Sequence, residues 1–390
     1  MNADSVQYIM FLIFFGAAVV ATLAMMARQA MLVSYIVLGI VLGPGALGWV
    51  GNAHLIREFS DIGILFLLFL LGLNLPPHKL AGLVRETTIV TVVSAAVLAA
   101  IGALLSHSFG YSWFESLVIG AALTFSSTII GIKLLPTTVL HHRHTGEIII
   151  SILLLQDLLA IFVLLLIHPA SRDGTVPWFA FVRPLISFPA LYLVAWALER
   201  LVIIRLLRRF DKIQEYMFLL AIGWCLGMAE LAHVLSLPQE IGAFVAGVAM
   251  ANSPVAQFIA EQLKTLRDFF LIIFFFSVGA SFHPDTLDGV WLPAMLLAII
   301  ALTLKPLLFA LLMRREGESR PIAQEVGVRL GQMSEFSILI AILAMDRHRI
   351  SANAATLIQL ATILTFIISP YVTILRYPTP VAISDRLRRD

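Results

Sequence analysis

Residues 148–167 read IIISILLLQDLLAIFVLLLI, a run in which Asp157 is the only charged side chain. As a helix rising 1.5 Å per residue it is long enough to cross about 30 Å of hydrocarbon. A closed β-barrel is the other structure that spans a bilayer, but it needs short alternating strands, and this run does not alternate. The stretch therefore predicts a membrane-spanning helix. Its surroundings repeat the pattern. The 390 residues are 60% hydrophobic and 13% charged with a mean hydropathy of +0.95, against about 45–50% and about 25% in soluble domains. Apolar runs and their polar interruptions predict an all-α membrane protein of about 13 spans. They fall at 6–27, 31–48, 57–75, 86–106, 115–136, 146–168, 178–204, 213–233, 238–252, 265–282, 290–313, 324–345 and 355–376.

The chain reads as one transmembrane domain over 1–390 followed by a short cytoplasmic tail from 377, with no soluble nucleotide-binding domain. With an odd number of spans the two ends lie on opposite faces. Most of the 26 Lys and Arg then fall on the side of the C-terminus. Only Arg57, Arg172, Arg183, Arg347 and Arg349 fall opposite, and Lys305 lies inside a span. Cytoplasmic loops carry the excess of Lys and Arg, so the C-terminus is expected inside and the N-terminus outside. The stretch Gly39 to Pro44 has a counterpart in Gly242 to Gly247, and Asp61 to Phe66 resembles Asp268 to Ile273. An offset of seven spans inverts the second unit. This predicts two inverted repeats, about 6–168 and 213–376, joined by a linker helix at about 178–204.

Asp157 carries the chemistry. A carboxylate at membrane depth costs roughly 2.5–3.5 kcal/mol on insertion scales, so it faces a polar interior and marks a pathway. One group that holds either a proton or a small hard cation is the least machinery for exchange. Beside it stands Gln156. Span 5 is interrupted by Thr124-Phe125-Ser126-Ser127-Thr128, and span 12 by Gly331-Gln332-Met333-Ser334-Glu335-Phe336-Ser337. The two stretches occupy equivalent places in the repeats, which predicts broken helices whose ends flank an ion site. Thr124, Ser126, Ser127 and Thr128 are candidate ion ligands with Asp157 and Gln156. Lys305, Glu335, Gln332 and Ser334 are candidates for balancing charge or supporting the breaks. Lys305 has two possible partners: Asp157, or Glu335 together with the carbonyl end of a broken helix.

Other features point away from further chemistry. A net charge of +2 does not imply nucleic-acid binding. Cys225 lies in an apolar run as a packing residue, and His141, His142 and His144 share a loop without a second ligand group at metal spacing. Gly39, Gly43, Gly45 and Gly48 suit close helix packing, since their Gly-x-Gly precedes no βαβ unit. No catalytic constellation for an enzyme is present, and no cofactor is expected.

In order along the chain, Gly39 to Gly48, Phe66 to Gly72, Ser126-Ser127-Thr128, Gln156-Asp157, Gly242 to Gly247, Phe274 to Gly279 and Gly331 to Phe336 resemble the second cation:proton antiporter family, and within it the Kef-type potassium/proton exchangers. The resemblance implies the sodium/proton antiporter fold with discontinuous helices crossing at Asp157, a homodimer, elevator motion of a core bundle that includes Lys305, and a place in a bacterial inner membrane. It implies a secondary antiporter of K⁺, or alternatively Na⁺, against H⁺. Related electrogenic exchangers carry two adjacent acids where this chain has Gln156-Asp157, so exchange is expected to be electroneutral. Kef-type proteins usually continue into a nucleotide-binding domain gated by glutathione, and neither control is expected here. A passive cation channel and a sodium-coupled symporter of organic anions are the alternatives. The symporter would need Lys305 as its anion-binding base.

Overall fold

A computed structural model describes residues 6–27, 29, 31–50, 53–73, 77–135, 144–167, 179–210, 213–251, 253, 256–282 and 289–379. His141, His142 and the tail beyond Thr379 lie outside these residues. Among the described residues the fold is helical, with no β-sheet. Helices α1 (Val6–Met26), α2 (Met31–Leu42), α3 (Ala53–Leu73) and α4 (Pro77–Ser108) overlap the first four expected spans, with α2 ending earlier and α4 beginning earlier than expected. Span 5 is split into α5 (Trp113–Thr124) and α6 (Thr128–Lys133), and α7 (His144–Ile167) carries Asp157. Next come α8 (Phe179–Leu198), a π-helical turn (Glu199–Ile203) and α9 (Ile204–Arg209), then α10 (Gln214–Val234), α11 (Gln239–Met250) and α12 (Ala256–Ala280). The last spans are α13 (Trp291–Arg315), the split pair α14 (Arg320–Arg329) and α15 (Glu335–Asp346), and α16 (Ala352–Arg376). Large apolar side chains such as Phe11, Leu104, Leu193, Leu219 and Leu307 stand exposed, as a hydrocarbon solvent requires.

The chain divides into two compact units. The first comprises residues 1–17, 35–81 and 164–281. In it α11 and α12 both pack on α3, and α10 packs on α11. Two close approaches follow one pattern. A Cβ at Gly39 of α2 would strike the Phe276 carbonyl oxygen of α12 and lie 3.0 Å from the Cα of Gly279. A Cβ at Gly247 of α11 would strike the Phe69 carbonyl oxygen of α3 and lie 2.9 Å from the Cα of Gly72. Span 2 therefore meets span 10 as span 9 meets span 3, the reciprocity that a two-fold repeat produces. Only a residue without a side chain allows backbones this close. Gly279→Ala and Gly247→Ala should each force the paired helices apart at a cost of about 1–3 kcal/mol. Matched falls in the midpoint temperature of detergent-solubilised protein would check this, and one neutral variant of the two would contradict the reciprocity.

The second unit comprises residues 18–34, 82–163 and 282–390. Here α13 packs on α14 and α16, and α15 packs on α16 and α5. An apolar cluster that includes Val90, Ile149, Leu153, Phe309, Val326 and Leu330 joins α4, α7, α13 and α14. Pro306 interrupts the bonding of α13 next to Lys305, and α14 fits against it at two glycines. A Cβ at Gly327 would strike the Pro306 carbonyl oxygen, and one at Gly331 would lie 2.9 Å from the Pro306 ring. This brings Lys305 to the break that follows α14. Both second half-helices begin at corresponding points, α6 at Thr128 and α15 at Glu335.

Candidate functional site

Every candidate residue read from the sequence lies in the second unit. A broken helix leaves its last carbonyls and first amides without helical partners, and at membrane depth each unpaired group costs several kcal/mol. The end of α5 shows how those partners are supplied. Thr124 turns its hydroxyl back to donate to the Ala121 oxygen at 2.8 Å. Ser337 donates to the Ala122 oxygen at 2.6 Å. Lys305 Nζ donates to the oxygens of Leu123 at 3.3 Å and Phe125 at 2.7 Å. The amide nitrogen of Gln156 donates to the Thr124 oxygen at 3.0 Å. All five carbonyls from Ala121 to Phe125 thus accept a side-chain hydrogen bond.

The second break is stitched to the first. Ser126 donates to the Leu330 oxygen at 2.9 Å, and Gln332 Nε2 lies 3.4 Å from the Ser127 oxygen. The third hydrogen of Lys305 goes to the Gln332 oxygen at 3.0 Å. Ser334 caps α15 by accepting from the Phe336 amide at 3.1 Å. The final span, α16, adds two residues that the sequence reading did not single out. Thr365 accepts from the Met333 amide at 3.0 Å, and Ser369 donates to Gln332 Oε1 at 3.0 Å. Thr362, Thr365, Ser369 and Thr373 form a buried hydroxyl stripe at helical spacing along α16, which was the available signal.

Gln156 has a defined task here. Its Oε1 accepts from the Ser126 amide at 3.0 Å while its Nε2 donates to the Thr124 oxygen. One side-chain amide thus replaces two backbone partners across the gap. An ionised carboxylate at this position would accept but could not donate, and would leave the Thr124 oxygen without its bond.

Lys305 is 0% exposed and gives its three hydrogens to the three carbonyls of Leu123, Phe125 and Gln332. Its ammonium sits at the ends of two half-helices, where the backbone carries partial negative charge. Of the two partnerships open from the sequence, its hydrogen bonds follow the carbonyl one. Asp157 is 1% exposed, and the Thr128 hydroxyl reaches its Oδ2 at 3.2 Å and its Oδ1 at 3.4 Å. Glu335, 4% exposed, lies beside the Ser127 hydroxyl and the Ile129 amide, near enough to Asp157 for the two charges to interact. Of the four hydroxyl candidates, Thr128 touches Asp157, while Ser126 and Thr124 bond to backbone and Ser127 caps the Ile130 amide at 3.2 Å.

Two broken helices are thus pinned by one lysine, with the buried Asp157 carboxylate bonded to the start of the half-helix that follows the first break. A model of the transmembrane region of sodium/hydrogen exchangers matches residues 11–374. The chain belongs to the sodium/hydrogen exchanger family. The exchanger is 28% identical over 366 residues to a protein named iron transporter MagA of Paramagnetospirillum magneticum, covering 91% of this chain and 83% of that one. Its fold is similar to the sodium proton antiporter MjNhaP1 of Methanocaldococcus jannaschii at pH 8, with a TM-score of 0.72 at 14% identity over 94% of this chain and 95% of that chain. A second structure of MjNhaP1, from electron microscopy, gives a TM-score of 0.68 at 14% identity over 93% of each chain. The exchanger is thus a multi-pass membrane protein, and its expected fold class stands.

Proposed function

We propose that this exchanger is a secondary antiporter that trades one monovalent cation, K⁺ ahead of Na⁺, for one proton at Asp157, without net charge movement. The observation that carries the reading is the charge balance of the buried site. When all three buried side chains are ionised, Lys305 supplies one positive charge and Asp157 and Glu335 supply two negative ones. Arg329, the other buried cation among the described residues of the unit, is paired separately with Glu325 at 2.9 Å. One negative charge is left over, and a dry site cannot carry it across a membrane without a partner. A proton or a cation neutralises it equally, so each loaded form is ready to move and the empty form is not. Coupling follows from that asymmetry.

The Gln156-Asp157 pair supports electroneutral exchange, and the resemblance of its motifs to Kef-type exchangers supports potassium. Burial of Asp157 means that an ion reaches it only after a movement, which supports alternating access by an elevator motion of the bundle carrying the site. The reciprocal glycine contacts support two inverted repeats, and the distribution of Lys and Arg supports a cytoplasmic C-terminus and an inner-membrane setting. A homodimer is part of the same reading. Because every hydrogen of Lys305 is engaged, the ammonium has no free donor for an organic anion, which weighs against the symporter. A passive channel would have no use for a site that moves only when neutralised.

Everted vesicles holding an imposed pH gradient test the proposal. Adding K⁺, Na⁺ or Li⁺ separately should dissipate the gradient, K⁺ at the lowest concentration. An imposed membrane potential should neither speed exchange nor draw a current. A steady current with a K⁺ gradient would refute one-for-one exchange, and flux without proton movement would favour the channel. Fe²⁺ is included as a further cation because of the name of MagA. Fe²⁺ that leaves the gradient intact would restrict the exchange to monovalent cations.

A further inference from the structure

Arg329, the last residue of α14, is 2% exposed. A guanidinium carries five donors and is costly to bury unless they are used. Its Nε donates to Glu325 Oε1 at 2.9 Å, Nη1 to the Leu134 oxygen at 2.9 Å and Nη2 to the Pro378 oxygen at 2.8 Å. The Tyr377 ring lies 5.8 Å from its centre. Leu134 directly follows α6, so the cation sits on the carbonyl end of that helix, where partners are missing and the backbone is partially negative.

Six residues make too short a helix to hold its own geometry. The placement of α6 depends on the packing of the buried Ile130 and on what grips its two ends. At the start, Ser127 caps the Ile130 amide, and Thr128 places its hydroxyl on Asp157. At the finish stands Arg329. We propose that Arg329 is a positioning residue for exchange: by gripping the Leu134 carbonyl it sets the placement of α6, and through it the Thr128 hydroxyl that orients the Asp157 carboxylate. This rests on Asp157 being the exchange site, and Arg329 itself touches neither ion nor proton.

The test is a double-mutant cycle on full-length protein in liposomes, measuring the apparent KM for K⁺ and the maximal rate for Thr128→Ala, Arg329→Gln and the double variant. Losing one oriented hydrogen bond to the carboxylate should raise KM by about 5–10-fold in Thr128→Ala. Arg329→Gln should produce a rise of similar size with a smaller change in maximal rate. The double variant should be no worse than the worse single, because both act through one contact. Arg329→Lys, which keeps the charge and one donor, should recover part of the affinity, and it carries the cycle if the Gln variant does not fold. Effects that multiply in the double variant would overturn the proposal, as would a folded Arg329 variant with unchanged KM. Asp157→Asn separates the failures. Exchange that survives it refutes the ion site and this proposal with it, whereas its loss alongside multiplying effects refutes only the positioning role.

Discussion

Asp157→Asn should reduce cation-driven proton movement to the background of empty vesicles while leaving the protein at least as stable to heat as the parent. Asparagine keeps the shape of the side chain and still accepts from Thr128, but it binds no exchangeable proton and offers a cation no charge. The second outcome is as diagnostic as the first. A buried carboxylate with one hydroxyl partner at 3.2 Å is an expense to the fold. Removing its charge relieves that cost, and stability gained as activity is lost marks a residue kept for function. In the parent, protons and cations compete for one group, so the apparent KM for K⁺ should rise as pH falls. Gradient-dissipation assays at several pH values, with a midpoint temperature for each variant, check both halves. An Asn variant that exchanges ions normally would refute the site, and one that is inactive only because it has melted would leave the loss of transport a folding effect.

Lys305→Met should have the opposite signature, losing transport and stability together. Three carbonyls, those of Leu123, Phe125 and Gln332, lose their donor at once. Each unsatisfied buried group costs ~1–3 kcal/mol, and together they approach the ~5–15 kcal/mol that holds a typical domain. The two broken helices should separate, and purified protein should aggregate at temperatures the parent survives. The double variant Asp157→Asn with Lys305→Met discriminates between explanations. If the ammonium served mainly as a counter-charge to Asp157, removing both would restore stability. Because its bonds go to backbone, the double variant should stay as fragile as Lys305→Met, and a recovered midpoint temperature would show the carbonyl role to be secondary.

The interruptions at Ser126-Ser127 and Met333-Ser334 were legible as breaks because the two polar clusters occupy equivalent places in the repeats, whereas single Ser and Thr residues sit in unbroken spans by bonding to the i−4 carbonyl. The span positions were legible for a related reason: hydrocarbon imposes a minimum length and a near-absence of charge on any helix that crosses it. Asp157 was legible because one acid in such a run demands an explanation. Those conclusions depend on neighbours along the chain and on the solvent, both of which a linear sequence contains.

Which side chain answers which backbone group was not legible. Gln156 looked like an ion ligand from its place beside Asp157, and proves to be an amide bridge across the gap between Thr124 and Ser126. Lys305 had Asp157, or Glu335 with the carbonyl end of a broken helix, to choose from in the sequence, and its bonds go to the carbonyls of Leu123, Phe125 and Gln332. Arg329 counted only as one more cation on the side of the C-terminus, and Thr365 and Ser369 as residues of the last span, until α14, α6 and α16 were brought together. Hydrogen bonds are directional and short-ranged, so they are allotted only once helices far apart in the chain stand within about 3 Å of one another. Composition and periodicity set the helices and their membrane, whereas long-range packing assigned the donors and acceptors that make a site of them.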